Sequence, residues 1–234
     1  MGLATIARQA LVGVGLDSVV VWYRKARGQS VDHLRGDRRK RFSTIYENAW
    51  WAFGDRSQES LSGNGSGLEA TSTVRRDLPK VLAGLNAKNL LDVGCGDFNW
   101  MKEVALPCAY VGVDIVPSVI EADRERYASD LRAFHCLDAV DEALPSADVV
   151  LCREVLFHLS FSDARSLLRN VRATGARYLL ATSEPHVSLN RDVPSGDFRE
   201  INLALKPYGL GDPIDHIVDG DGPSPGRILG VWKL

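Results

Sequence analysis

The residues with the clearest chemical potential lie in the segment LLDVGCGDFNW, which runs from Leu90 to Trp100. An apolar, strand-like run ends there in Gly94-Cys95-Gly96. Glycines at the end of a strand let the backbone turn tightly and approach a ligand closely. The third glycine of a dinucleotide-binding G-x-G-x-x-G motif is absent, since Asn99 occupies its position. The segment therefore predicts a ligand-binding turn and argues against a dinucleotide with its pyrophosphate.

Acidic residues recur at the ends of the strand-like segments. Asp114 ends the run AYVGVD about 20 residues after Asp92, the separation expected of an acid that binds ribose hydroxyls, although a helix cap is the alternative. Asp138 follows the run RAFHCL and is either an acceptor for an adenine amino group or an ordinary loop acid. Asp97 either caps a helix or contacts the ligand, and Asp92 either anchors loop amides or faces a cationic ligand group. The pattern predicts a nucleoside site.

A sheet is needed to bring these residues to one edge. Strand-like runs at 89–94, 109–114, 132–137, 148–153 and 177–183 alternate with helical stretches at 68–85, 116–129 and 162–174, and a last strand-like run ends the chain at 227–234. Apolar strands that alternate with helices predict a parallel sheet covered on both faces. Ligands of such sheets lie outside the carboxyl ends of the strands, where these glycines and acids would lie.

The composition is that of an ordinary globular protein. The chain has 234 residues, 45% hydrophobic and 25% charged, enough for one α/β domain and an N-terminal extension. Its net charge of −2 gives no general basic field for nucleic acid, although the basic run Arg35–Arg41 keeps that class open. The four cysteines form no C-x-x-C pair, so we expect reduced thiols in a cytoplasmic protein.

The apolar segment Leu11–Tyr23 contains Asp17 and is too short to span a bilayer, so we expect no membrane span. We interpret it as a helix that packs on the domain or on a partner, which leaves a homodimer open. Weak membrane association is the alternative, because Arg24, Lys25 and Arg27 follow directly.

The motifs LLDVGCGD, VGVDIV and FHCLDAV, together with DVVLCREVLFHLS, resemble those of class I S-adenosylmethionine (SAM)-dependent methyltransferases. The resemblance covers about Leu68 to the C terminus. It implies a Rossmann-like, mostly parallel α/β sheet with helices on both faces, SAM as cofactor and S-adenosylhomocysteine as product. Residues 68–234 would form the SAM-binding catalytic domain and residues 1–67 a helical extension and lid. The implied cofactor-binding residues are Asp92, Gly94, Gly96, Asp97, Asp114, Ile115, Asp138, Ala139 and Arg153.

A bacterial subgroup of this family is closer still in its motifs. Its pattern contains IYxxxxW, a GSG loop, CGDFxWM, CRDxLxHLS and NxDxxxGxWRxxNL, and here Glu154 and Phe198 replace the usual Asp and Trp. Members often accompany glycan or natural-product biosynthesis, which implies a hydroxyl on a small molecule or sugar as the acceptor. The residues implied in acceptor binding are Tyr46, Trp50, Arg75, Asn190, Asp192 and Arg199.

Methyl transfer to a hydroxyl requires that the acceptor oxygen be aligned with the methyl group of SAM and that the hydroxyl lose its proton. His158 follows the fourth strand and is the expected general base, whereas His186 is a weaker candidate. The alternative for His158 is a structural role, either as a cap of the next helix or as a partner of a loop carbonyl. Glu154 would orient the imidazole, polarise the acceptor or bind the cofactor indirectly, and no metal is expected. We expect turnover to rise with pH through about 6.5, the ordinary pKa of histidine.

Other functions remain compatible with these motifs. N- or C-methylation of a natural product uses the same cofactor site, and a SAM-binding regulator needs only the glycines and acids. A nucleic-acid methyltransferase is disfavoured by the negative net charge and by the absence of the N/D-P-P-aromatic motif of amino-methylating enzymes.

Overall fold

The structure is a computed structural model that describes residues 17–26, 31, 34–219 and 226–234. Its centre is a seven-stranded sheet with the strand order β3-β2-β1-β4-β5-β7-β6. The strands are β1 (Asn89–Val93), β2 (Ala109–Asp114), β3 (Arg132–Cys136), β4 (Val149–Cys152), β5 (Tyr178–Ser183), β6 (Asp215–Val218) and β7 (Ile228–Lys233). Strands β1 to β5 pair in parallel, and β7 pairs antiparallel with both β5 and β6.

The described helices are α1 (Asp17–Ala26), α2 (Arg38–Glu47), α3 (Ser72–Gly84), α4 (Pro117–Tyr127) and α5 (Phe161–Ala173). Local chemistry sets several of their starts. Proline at the first position begins α4, where its missing N–H costs nothing. The Ser160 side chain caps α5 by accepting a hydrogen bond from the Asp163 amide, and Asp37 caps α2 in the same way through Lys40.

Both faces of the sheet are buried, as expected where helices cover a parallel sheet. Neighbouring residues of a strand point to opposite faces, so each strand contributes to two apolar clusters. One cluster contains Leu91, Val93, Val113, Val150, Cys152, Leu179 and Ala181. The other contains Leu90, Tyr110, Val149, Leu151, Leu180, Leu229 and Val231. This two-sided packing holds the carboxyl ends of the central strands in fixed positions.

The mostly parallel sheet with helices that the sequence predicted is confirmed. Two details differ. Residues 68–71 form a turn, so α3 begins at Ser72, four residues later than predicted. Strand β6 was not predicted, since it has only four residues and follows a segment rich in glycine and proline.

Only part of the apolar N-terminal segment lies within the described residues, since 11–16 and residue 27 fall outside them. Helix α1 begins at Asp17, and its aromatic side chains Trp22 and Tyr23 are 68% and 50% exposed. These two side chains are therefore largely exposed, and the packing of this helix on the domain or on a partner stays a prediction. Within the described part of the chain, no helix is long and apolar enough to cross a membrane.

Candidate active site

A cavity opens at the carboxyl ends of β1, β2, β3 and β4. Strand β1 lies between β2 and β4, so the connections from these strands leave in opposite directions and open a crevice. The lining residues are Arg38, Phe42, Tyr46, Trp51, Ser62, Ser66, Asp92, Val93, Gly94, Cys95, Gly96, Trp100, Val113, Asp114, Ile115, Leu137, Asp138, Ala139, Val140, Arg153, Glu154, Val155, His158, Leu159 and Leu167.

The turn after β1 requires its two glycines. Gly94 and Gly96 have φ angles of 76° and 58°, in the left-handed region that favours glycine. A Cβ atom at Gly94 would lie 2.4 Å from Val155 Cγ2, and one at Gly96 would lie 2.3 Å from Ser62 Oγ. The glycines therefore provide both the turn and the space in which other segments approach it.

Asp114 links the glycine turn to the end of β2. Its Oδ2 accepts a hydrogen bond from the Gly96 amide at 3.1 Å, and its Oδ1 accepts one from the Val116 amide at 3.0 Å. Burial raises the pKa of this carboxyl group, and the amide hydrogen bonds oppose that shift. Asp114 is thus a buried hydrogen-bond acceptor, fixed in the cavity wall. A residue that binds ribose hydroxyls is expected at this position.

Asp92 lies deeper in the same wall. Tyr110 donates its hydroxyl hydrogen to Asp92 Oδ2 at 2.8 Å, and burial raises the pKa of the carboxyl to about 7. The amides of Gly94 and Cys95 donate to the carbonyl of Val113 instead. Anchoring of the loop amides, one of the two roles considered for Asp92, therefore falls to the β2 backbone.

Asp97 contacts a segment of the N-terminal extension and is not among the lining residues. Its carboxylate accepts hydrogen bonds from the hydroxyls of Ser60 and Ser62, both at 3.0 Å, and from the amide of Leu61 at 2.8 Å. Neither a helix cap nor a contact in the cavity is seen at this residue. The side chain instead holds the segment that passes over the glycine turn.

The basic run of the extension packs against an acidic loop after β3. Arg38 donates from Nε to Asp138 Oδ2 at 3.0 Å and contacts Asp163 at 3.2 Å, and it also pairs with Asp141. Arg39 reaches the carbonyl of Ile115 at 2.9 Å. These two arginines therefore hold the extension against the loops that follow β2 and β3.

Other residues of the extension cover the cavity. The Tyr46 hydroxyl is 2.7 Å from Ser62 Oγ, and Phe42, Tyr46 and Trp51 line the cavity. Trp50, which the sequence pattern selected, is not a lining residue, while its neighbour Trp51 is. The short 3₁₀ helix Trp50–Ala52 turns the second of the two tryptophans toward the site.

His158 ends the short 3₁₀ helix Leu156–His158, which follows β4. Its Nδ1 lies 2.9 Å from the carbonyl oxygen of Asp197, which can only accept, so the hydrogen is on Nδ1 and Nε2 has a free lone pair. Burial lowers the pKa of the imidazole to about 4, so the ring is neutral at physiological pH. Of the two alternatives for His158, the helix cap does not hold, because Ser160 caps α5. The other, a hydrogen bond to a loop carbonyl, is present at Nδ1, and it leaves Nε2 for the proposed role.

Glu154 has a φ angle of 59°, and its carboxylate forms ion pairs with two buried arginines. Oε1 lies 2.5 Å from Arg227 and 3.4 Å from Arg153. Arg153 also pairs with Asp219 at 2.8 Å and donates to the carbonyl of Gly65 at 2.9 Å. Glu154 therefore does not bond to His158, whose orientation is set by a backbone carbonyl.

Four residues that the resemblance assigned to acceptor binding lie outside the cavity lining and stabilise loops. Arg75 donates to the carbonyl of Leu68 at 2.9 Å, and Asn190 donates to that of Asn202 at 2.8 Å. Asp192 accepts from the amide at the start of α5, and the buried Arg199 binds the hydroxyl of Tyr208 and a backbone carbonyl. Asn190, Asp192 and Arg199 hold the segment after β5 in place, and Arg75 holds the turn before α3.

Several lining residues were not identified from the sequence, among them Arg38, Phe42, Ser62 and Val155. The acids at positions 138, 141 and 142 could have indicated a partner for the basic run. In the described part of the chain, no group of three or more His, Cys, Asp and Glu side chains is placed to hold a metal ion.

Residues 91–175 match the family model of a methyltransferase domain. Human N-acetylserotonin methyltransferase, solved in complex with SAM, is 15% identical with a TM-score of 0.54, over 88% of this chain and 72% of that chain. The methyltransferase domain of bacterial CtHen1-C is 20% identical with a TM-score of 0.49, over 70% of this chain and 98% of that chain. Magnesium protoporphyrin IX methyltransferase from Synechocystis PCC 6803, with bound SAM, is 16% identical with a TM-score of 0.47, over 68% of this chain and 81% of that chain. No curated protein matches the chain.

The family match covers β1 to α5, which includes the glycine turn, Asp114, Asp138 and His158. The likeness to the human structure shows the fold over most of the chain. Residues 91–175 are therefore similar to a methyltransferase domain, and the chain has the class I methyltransferase fold.

Proposed function

We propose that the protein transfers the methyl group of SAM to a hydroxyl oxygen of a small molecule or sugar. The observation that carries this proposal is a neutral imidazole at the wall of the cofactor cavity. Nδ1 of His158 is held by the carbonyl of Asp197, so Nε2 is the atom available to take a proton. A hydroxyl acceptor must lose one proton in the reaction, and a positioned neutral histidine meets that need.

The cofactor is proposed to lie across the ends of β1, β2 and β3. Asp114 would accept hydrogen bonds from the ribose hydroxyls, and Ile115, Asp138 and Ala139 would surround the adenine. The methionine portion would lie along the glycine turn, beside Asp92 and Arg153. In support, each of these residues lines the cavity. Binding and alignment supply much of the catalysis when the cofactor is already activated.

We assign residues 1–67 to a cover and residues 68–234 to the catalytic domain. Contacts between the two support this division. Arg38 bonds to Asp138, and Asp97 holds Ser60 and Ser62. Within the cover, Tyr46 bonds to Ser62, and both lie close to Gly96. A segment held over the cofactor excludes water from the reacting groups.

We expect SAM to protect Ile45 to Gly67 from hydrogen exchange. The physical reason is that Tyr46, Trp51 and Ser62 line the cavity, so a bound cofactor adds contacts to the segment that contains them. Hydrogen exchange with mass spectrometry, with and without S-adenosylhomocysteine, measures this. Peptides of residues 85–88, which precede β1 at the end of the sheet opposite the cavity, are the internal control. Protection of the glycine turn without any change in Ile45 to Gly67 would contradict the cover.

The proposed O-methylation is tested with SAM whose methyl group carries ¹³C. The purified protein is offered three acceptors with one carbon skeleton, bearing a hydroxyl, an amine or a methyl ether. We expect the label in a new methyl ether from the hydroxyl compound, and none from the blocked ether. Labelled methylamine product, with no ether, would replace O-methylation by N-methylation while leaving the methyltransferase assignment intact.

A further inference from the structure

Aromatic rings surround the proposed base. The indole of Trp51 stacks on the imidazole of His158 with ring centroids 4.8 Å apart and an interplanar angle of 28°. Phe198 lies tilted against the same imidazole at 5.9 Å and meets Phe157 edge to face at 5.1 Å. Trp51 lines the cavity, and Phe198 is outside the lining and 50% exposed. The space next to His158 is therefore bordered by ring faces and edges.

The position of Phe198 is fixed by the backbone. The amide of Gly196 donates to the carbonyl of His158 at 2.8 Å, and the amide of Arg199 donates to the carbonyl of Phe157 at 3.2 Å. The segment between them passes alongside the 3₁₀ turn of His158. The backbone at Phe198 is therefore held on both sides, while half of the side chain stays exposed. An exposed aromatic ring on a restrained backbone is suited to contact a ligand.

The charged groups of the cavity wall do not favour an anionic acceptor. The lining arginines are Arg38 and Arg153, and both are paired with carboxylates. Glu154, next to the base, is paired with Arg227. Both lining arginines are therefore already neutralised by carboxylates of the chain. An anionic acceptor buried here would lack a cationic partner, a free-energy cost that a neutral acceptor avoids.

We propose that the acceptor is an uncharged aromatic ring with a phenolic hydroxyl, held at Trp51 and Phe198 with its hydroxyl directed to Nε2 of His158. The proposal rests on the O-methylation proposed above and names its substrate class. Aromatic rings prefer offset-stacked and edge-to-face contacts at centroid distances of about 4.5–7 Å, which are the kinds of contact that Trp51, Phe157 and Phe198 already make around His158.

The acidity of the acceptor points the same way. A base that protonates with a pKa of about 4 is weak, so it assists an acidic hydroxyl far better than a less acidic one. A phenol has a pKa of about 10, whereas a hydroxyl with the acidity of water has one of about 15.7. In the reaction, the phenolic proton passes to Nε2 while the oxygen bonds to the methyl carbon. The electron pair of the broken carbon–sulfur bond stays on sulfur, and the imidazolium then releases its proton to water.

The test compares 2-naphthol with decahydro-2-naphthol, which has the same skeleton and hydroxyl position but no aromatic ring. Methyl β-glucoside serves as the sugar probe, and 6-hydroxy-2-naphthoate as the anionic one. Binding to the S-adenosylhomocysteine complex is measured by NMR, and methyl transfer from SAM by mass spectrometry. We expect 2-naphthol to bind at least 10-fold more tightly than each of the other three probes and to yield its methyl ether.

Phe198→Leu is expected to weaken 2-naphthol binding about 2- to 10-fold, the usual worth of an aromatic pair, and to leave S-adenosylhomocysteine affinity unchanged. Phe53→Leu is the matched control, because Phe53 is 83% exposed and outside the lining. Equal binding of 2-naphthol and its saturated counterpart, or preferential methylation of the glucoside, overturns the phenolic assignment and leaves O-methylation standing. An absence of S-adenosylhomocysteine binding would instead count against the proposed function itself.

Discussion

Replacing His158 with alanine is expected to lower turnover by about 10²- to 10⁴-fold, the usual contribution of a general base. SAM affinity should change little, because the proposed adenosine contacts lie on β2 and β3. His186→Ala is the matched control, since the His186 side chain is 51% exposed and pairs with Glu200 away from the cavity. Turnover and calorimetric SAM affinity of both variants measure the effect. Near-normal turnover of His158→Ala would contradict the role of His158 as the general base.

The pH profile gives an independent check on the same residue. Burial lowers the pKa of His158 to about 4, so the imidazole is neutral and able to accept a proton above that pH. Turnover should therefore be insensitive to this group from about pH 5.5 to 8 and fall as the pH drops through about 4. This replaces the rise near 6.5 expected from an unperturbed histidine. A profile of kcat/KM with a half-maximum near 6.5, absent from the alanine variant, would show that His158 is solvated in the working enzyme.

Asp114→Ala is expected to weaken SAM binding by about 100-fold. The substitution removes the proposed acceptor of the ribose hydroxyls, and hydrogen bonds to a charged group contribute about 1.5–3 kcal/mol each. It also leaves the amides of Gly96 and Val116 without their acceptor, which loosens the glycine turn. Asp130→Ala, in an exposed loop, controls for the loss of one negative charge. Calorimetry gives the affinity, and thermal unfolding shows whether the variant is folded.

A second variant separates these two effects of Asp114. Asp114→Asn keeps an oxygen that can accept from one amide but removes the negative charge. If the carboxylate binds ribose, the asparagine variant should be folded and still bind SAM weakly. Wild-type affinity in a folded Asp114→Ala protein would place the ribose elsewhere.

The sheet could be predicted from the sequence because its signals are local. The runs 109–114 and 148–153 are apolar, and each ends in a polar residue that the fold brings to one edge. Gly94 and Gly96 were also identifiable, since a turn after a strand needs residues that tolerate positive φ. Strand β6 carries a weak signal because an edge strand of four residues contributes one buried side chain, Ile217.

The residues proposed from the sequence for acceptor binding could not be placed in the same way, because the partners of their side chains depend on tertiary contacts. Arg199 and Asn190 are polar residues in a loop, and only the structure shows that their donors are used on backbone carbonyls. The choice between Trp50 and Trp51 depends on a single turn of 3₁₀ helix. The partners of Arg38 are 100 or more residues away in sequence. Motif positions therefore indicated more of the cavity lining at the ends of β1 to β3 than of the lining contributed by the N-terminal extension.

The central claim is that the cavity at the ends of β1 to β4 binds SAM, and direct titration by calorimetry tests it. We expect each chain to bind one molecule of SAM or S-adenosylhomocysteine. The affinity should be strongly reduced in Gly96→Val, because the valine side chain would collide with Ser62. Gly175→Val is the matched control, because a Cβ atom at Gly175 meets nothing within 4 Å and its φ of 79° imposes a similar backbone strain. Heat on titration with SAM, absent with NAD, is the expected result. Binding of NAD in preference to SAM, or no heat with SAM and with S-adenosylhomocysteine, would contradict the account.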